Sequence, residues 1–192
     1  MPVYLDHAAT TPVFPHVAAA MAEQATRVGN ASSLHTAGRA ARRIVEESRE
    51  RLAAAIGARP SEVVFTSGGT ESDNLAISGV LRARRDADPR RTRLLVSAIE
   101  HHAVLDCVEA LEAREGVQVT WLPCDAEGVV HPEVLARELA ADPESVALVS
   151  VMWANNEVGT VQDVAALAAM AHEHGIPMHT DCLLYTSPSP RD

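Results

Sequence analysis

The chain has 192 residues and all sixteen of its basic residues are arginine, so no side chain offers an ε-amino group for Schiff-base or phosphate-loop chemistry. With 47% hydrophobic and 22% charged residues the composition is that of a globular protein, and at 3% aromatic the interior must be built from Ala, Val and Leu. A net charge of −10 argues against nucleic acid as the main partner.

Strand-like and helix-like segments alternate along the chain. After an extended start over Val3 to Leu5, Pro12 opens a helical stretch to about Arg27, and a second helix runs from about Ala37 to Ile56, where Gly57 stops it. Val63-Val64-Phe65-Thr66 reads as a short buried strand. Ser67-Gly68-Gly69-Thr70 turns into a helix that starts near Thr70 and runs toward Arg84. The arginines that follow (Arg82, Arg84, Arg85, Arg90, Arg91, Arg93) are interrupted by Asp86 and Asp88 and read as a solvated helix end and loop.

The alternation then repeats. Leu94 to Val96 is a strand, a helix begins near His101, and Gly116 closes it. Val117 to Leu122 leads to a helix over Pro132 to Leu139, Val146 to Met152 to a helix from about Val161 to His174, and Ile176 to Thr180 is the last strand. Strands separated by helices of this length predict an α/β fold of three layers, a mostly parallel sheet flanked by helices. Ligands of such sheets sit beyond the carboxyl ends of the strands, so the turns after the strands are the ones to inspect.

Four of those turns carry polar clusters. Ser67-Gly68-Gly69-Thr70-Glu71-Ser72 combines glycines with a helix start, which suits a phosphate, or is an ordinary turn with Thr70 as cap. Glu100-His101-His102 places a histidine where it can stack on a ring, move a proton, or merely cap a helix. Asn155-Asn156-Glu157-Val158-Gly159 offers amides to a ligand or forms a turn. In His179-Thr180-Asp181 an acid stands at a strand tip, where it holds a positive charge or caps a helix. No histidine or cysteine spacing fits a common metal ligand set. Cys107, Cys124 and Cys182 form no C-x-x-C pair, and Cys107 and Cys124 read as packing residues. With no membrane-length apolar run and no leader pattern at Met1-Pro2-Val3-Tyr4, the expected compartment is the cytoplasm.

Together these clusters resemble one family. Tyr4-Leu5-Asp6-His7-Ala8-Ala9-Thr10-Thr11-Pro12, Gly29-Asn30-Ala31-Ser32-Ser33-Leu34-His35, Phe65 to Asn74, Glu100 to Leu105, Asn155 to Gly159 and His179-Thr180-Asp181 follow, in order, the amino-terminal half of the NifS/IscS-like cysteine desulfurases among the class V aminotransferases. The resemblance implies pyridoxal 5′-phosphate (PLP) on a fold-type I scaffold, normally a homodimer. It implies Gly69 and Thr70 at the cofactor phosphate, and His101 stacked on the ring and shuttling protons as the catalytic residue. It also implies Asn156 at the ring hydroxyl and Asp181 at the pyridinium nitrogen. The implied reaction takes sulfur from L-cysteine, leaving alanine and an enzyme persulfide for an iron–sulfur scaffold or another sulfur-acceptor protein. A selenocysteine lyase, another β-lyase, or a non-catalytic fragment are the alternatives.

Departures from the family pattern are specific. Ala31 replaces a common proline, Leu184 stands where a cofactor-contacting glutamine is expected, and the family's Schiff-base lysine and persulfide cysteine have no counterpart here. The family-like domain is therefore expected over residues 1–181. Residues 182–192, with their Ser-Pro repeat, read as a non-family tail resembling translated adapter sequence, and the chain as written is expected to be inactive.

Overall fold

Leu94, Leu95 and Val96 are consecutive apolar residues in a strand, and neighbours in a strand face opposite ways, so the run needs apolar cover on both sides. The computed structural model, which describes residues 3–184, supplies that cover. The chain divides into two compact units, one up to Phe65 and one from Thr66 onward. The second holds a four-stranded sheet of β1 (Arg93–Ser97), β2 (Gln118–Leu122), β3 (Val146–Ser150) and β4 (Met178–His179) in the order β2-β1-β3-β4, every pair parallel.

Helices occupy both faces of this sheet. On one face α3 (Gly69–Ala87) and α4 (His102–Glu115) pack Ile77, Leu81, Val104, Val108 and Leu111 against Leu94, Val96 and Leu148. On the other α5 (Pro132–Ala141) and α6 (Val164–Glu173) pack Leu135, Leu139, Leu167 and Ala171 against Leu95, Leu122 and Val149. The strand alternation Leu94/Leu95/Val96 thus maps residue by residue onto two cores, and the expected three-layer α/β architecture is the one observed. The largest fully buried side chains are all Leu, Ile or Val. At ~1.5–3 kcal/mol for each such chain buried, these two clusters are the main source of the unit's stability. Cys107 is buried in the first cluster and Cys124 packs against the second, as their reading as packing residues requires. None of the described helices is long and apolar enough to cross a membrane.

The first unit contains α1 (Pro15–Ala25), α2 (Thr36–Ile56) and a 3-10 turn at Pro60–Glu62. Pro15, not Pro12, opens α1, taking the first helical position where a missing N–H costs nothing. The Gly-Asn-Ala-Ser-Ser-Leu-His segment folds onto the start of α2. Asn30 Oδ1 accepts from the Ser32 N–H at 2.9 Å, and His35 Nδ1 accepts from the Gly38 N–H at 3.3 Å as the cap. A Cβ on Gly38 would lie 2.3 Å from the Ser33 carbonyl oxygen, so only glycine lets this loop close.

Three further local expectations are corrected. Val63 to Thr66 forms no strand: Val64 is 65% exposed, and the segment is pinned by Arg49, whose guanidinium lies 4.9 Å over the Phe65 ring and donates to the Val63 carbonyl. The α3 helix begins at Gly69 with Gly68 as its cap, so Thr70 lies inside the first turn and is not the cap. Nor are all the clustered arginines a solvated loop. Arg91 donates to the Pro143 and Val146 carbonyls at 2.7 and 2.9 Å, and Arg93 bonds Thr120 Oγ1 at 2.8 Å and pairs with Glu138. These two close the amino-terminal edge of the sheet. Most of the tail expected over 182–192 lies outside the described residues, which end at 184.

Candidate active site

The carboxyl ends of β1, β3 and β4 gather an unusual amount of buried polarity. Asp73, Ser97, Glu100 and Ser150 are all buried there, where a purely structural edge would be apolar or wet. Ser150 ends β3 and Ser97 ends β1. His179, on β4, joins two elements: its Nδ1 lies 2.9 Å from Ser150 Oγ and its Nε2 3.4 Å from Asp73 Oδ1 on α3.

Glu100 is the most deeply committed of these groups. Its Oε1 accepts from Ser97 Oγ at 2.5 Å and from the Met152 N–H at 2.6 Å, while Oε2 has no hydrogen-bond partner among the described residues. Burial pushes its carboxyl up to about 6; the two hydrogen bonds and His179 act in the opposite direction, and Asp181 adds to the rise.

His101 is the cap of α4, with Nδ1 accepting from the Ala103 N–H at 3.1 Å. That bond uses the Nδ1 lone pair, so the neutral ring carries its proton on Nε2. The next loop is built by Asn155, whose Oδ1 accepts from the Glu157 and Val158 N–H groups, both at 2.9 Å. Its Nδ2 donates to the Ile99 carbonyl at 2.9 Å. Asn155 is consumed in holding the turn, which leaves the neighbouring Asn156 exposed. His101 and Asn156 line one pocket of about 350 Å³, together with Glu100, Leu105 and Val158.

Asp181 extends the strand ladder past β4: the Trp153 N–H donates to its carbonyl at 2.9 Å, which sets it beside the segment leading to Asn155. Its Oδ1 accepts from the Leu183 N–H at 3.0 Å. The Leu183 side chain reaches Gly69, lying 3.8 Å from where a Cβ there would be. At the start of α3 the cap Gly68 brings no side chain to the first-turn N–H groups. Glu71 turns back to accept from Ser67 N and Oγ, both at 2.6 Å, which lowers its carboxyl below the usual range.

The structure therefore brings His101 and Asn156 into one pocket and sets Asp181 beside the loop that carries Asn156. Thr70 is exposed in the first turn of α3. The inward role of Glu100 and the Asp73–His179–Ser150 chain were not legible as site features. The available signal was an acid at the end of the mostly apolar run from Leu94 to Ile99, with Ser97 three residues before it. Two other cavities, about 410 and 700 Å³, adjoin α1 and α2 in the first unit and carry none of these residues. No group of three or more His, Cys, Asp or Glu side chains among the described residues is placed to hold a metal ion.

Comparison with known proteins identifies the family and agrees with the fold. Residues 3–184 match the family model for aminotransferase class-V. The chain is 56% identical over 189 residues to an IscS-like cysteine desulfurase of Mycobacterium tuberculosis (strain ATCC 25618 / H37Rv), covering 98% of this chain and 48% of that protein. Among solved structures it is similar to a NifS-like protein (TM-score 0.84, 35% identity, 94% of this chain and 48% of that one). It is also similar to a structure described as SspA in complex with cysteine (TM-score 0.82, 36% identity, 92% and 49%). The chain spans about half the length of the curated relatives it matches.

Proposed function

Because the chain belongs to the class V aminotransferase family and matches the amino-terminal half of its IscS/NifS-like cysteine desulfurases, we propose that it carries the non-covalent half of a PLP site for sulfur removal from L-cysteine. The observation that carries this reading is the shared pocket of His101 and Asn156 at the carboxyl edge of a parallel sheet.

The residues fit that cofactor in kind. The uncapped first turn of α3 at Gly69 and Thr70 supplies N–H groups and a positive helix end for a phosphate. The His101 ring, held by its bond to Ala103, offers a flat face for stacking and an Nε2 proton for transfer. Asn156 has an amide for a ring hydroxyl, and the Asp181 carboxylate suits a protonated pyridine nitrogen. PLP, when bound, supplies the electron sink that lets a bond at the substrate be broken.

In the complete reaction the substrate C–S bond breaks and the sulfur forms an S–S bond on an enzyme thiol, so that cysteine and thiol become alanine and persulfide. Neither the lysine nor that thiol is assigned to this chain. It contains no lysine, and Cys107 is buried with its thiol pushed up by burial, the opposite of an activated nucleophile. The lysine-free composition favours a second reading for the 192 residues alone: a chain that binds PLP without turning over substrate.

A homodimer, a cytoplasmic setting and a sulfur-acceptor or iron–sulfur scaffold partner belong to the same proposal. The test is to assay the reading frame that contains this chain, extended to the length of its relatives, with L-cysteine. Alanine with persulfide in equal amounts is the expected result. Turnover of selenocysteine alone, or no lysine in the added half, defeats the desulfurase reading. For the chain as written, borohydride reduction with PLP should leave no side-chain adduct by mass spectrometry, and such an adduct defeats the second reading.

A further inference from the structure

We propose that Glu100 is a positioning residue that registers the two walls of the His101–Asn156 pocket against each other; the ligand assigned to that pocket rests on the PLP reading above. The β1–α4 connection carries His101, and the segment after β3 carries Asn156. They come from separate parts of the chain, and adjacent parallel strands by themselves do not fix how the loops beyond them sit.

Glu100 makes the junction with one oxygen. Oε1 takes the Ser97 hydroxyl from the end of β1 and the Met152 N–H from the segment after β3, so one buried atom ties both walls. The Asn155 amide bond to the Ile99 carbonyl adds a second tie between the same loops. Met152 is buried, so without Glu100 its N–H loses a partner where water has poor access. His101 follows Glu100 directly, and Asn156 is four residues past Met152. A slip at Glu100 is therefore passed to both pocket walls.

Hydrogen bonding, not charge, performs this role. Oε1 acts only as an acceptor, and a glutamine carbonyl can accept the same two bonds. The bare Oε2 contributes to neither tie. That separates positioning from an electrostatic role, in which the carboxylate would act on Asp181 or His179 through its charge.

The test uses the whole chain without cofactor, in the parent, Glu100→Ala and Glu100→Gln forms. Amide exchange at Met152 and the NMR signals of the His101 ring and Asn156 side chain report the register directly. Glu100→Ala should speed Met152 exchange by about tenfold or more and shift both side-chain signals, and Glu100→Gln should restore exchange to within about threefold of the parent. Unchanged Met152 exchange in Glu100→Ala overturns the proposal. So does faster exchange with the His101 and Asn156 signals unmoved, or a Glu100→Gln form as perturbed as the alanine form. A separate titration of the parent with PLP, followed on the His101 and Asn156 signals, tests the cofactor reading: if neither signal moves, that reading fails while the exchange result still decides the tie.

Discussion

His179 Nε2 stands 3.4 Å from Asp73 Oδ1, joining the last strand of the sheet to α3 through two side chains only 11% and 7% exposed. On its other side the same ring meets Ser150 Oγ at 2.9 Å. The order is serine, histidine, acid, but Ser150 is almost fully buried, so this trio is a brace and not a nucleophile. It holds the strand two residues before Asp181, the acid proposed for the cofactor nitrogen. Asp73→Ala should lower the stability of the chain by about 1–3 kcal/mol in urea unfolding, because it leaves the Nε2 of a nearly buried imidazole without its acidic neighbour while Nδ1 keeps Ser150. Asp73→Asn, which keeps the shape and a polar contact, should lose less.

Glu100 gives the chain a pH dependence of definite sign. Its carboxyl is raised from 4.5 to about 6 in the folded state, so folding takes up a proton between those values. The contribution is fully favourable below about pH 4.5 and is lost as the pH rises through 6, a change of about 2 kcal/mol at ~1.4 kcal/mol per unit. His179 works against the rise and Asp181 adds to it. Urea unfolding of the parent and Glu100→Gln at pH 4 and pH 8 isolates the effect. The glutamine form should gain stability relative to the parent by about that amount between the two pH values, and a constant difference contradicts the buried, proton-holding carboxyl.

Much of this fold was legible because hydrophobic burial leaves a periodic trace. Leu94-Leu95-Val96 and Val146-Ala147-Leu148-Val149 are unbroken apolar runs because helices cover both faces of the sheet, and Gly57 and Gly116 end helices with φ of 68° and 66°. Val63 to Phe65 misled because its β-branched and aromatic residues suit a strand, yet Arg49 supplies the ring and carbonyl contacts that hold the segment without a partner strand. The polar clusters marked the site, but not which member turns inward. In Glu100-His101-His102 the cap geometry sends the acid into the strand junction and leaves both imidazoles exposed. Asp73 and His179 meet only through tertiary packing, which no local pattern encodes.

Gln162 is the fifth buried polar residue of the second unit, and both polar atoms of its amide are hydrogen-bonded. Oε1 accepts from the Val130 N–H at 2.9 Å, and Nε2 donates to the Gly128 carbonyl at 2.6 Å. The side chain thus copies a strand neighbour for a loop that has none. Gln162→Ala should cost about 1–3 kcal/mol in unfolding experiments by orphaning both backbone groups. Gln162→Glu keeps the acceptor, loses the donor and buries a carboxyl. Its deficit should therefore grow as the pH is raised above the carboxylate range, where the alanine form shows no such added dependence.

The two roles of His101 can be separated by one substitution. As the cap of α4 it accepts the Ala103 N–H through Nδ1, and as a wall of the pocket it presents an aromatic face. Asparagine is a good helix cap but has no ring, whereas alanine supplies neither cap nor ring. His101→Asn should therefore stay within about 0.5 kcal/mol of the parent in stability, while His101→Ala should lose about 1 kcal/mol. Both should weaken PLP binding by a similar factor, on the order of tenfold, if ring stacking is what His101 provides. Thermal unfolding measures the first difference and PLP titration the second. An asparagine form that is as unstable as the alanine form would show that capping is not its structural role. One that binds PLP like the parent would remove His101 from the stacking position.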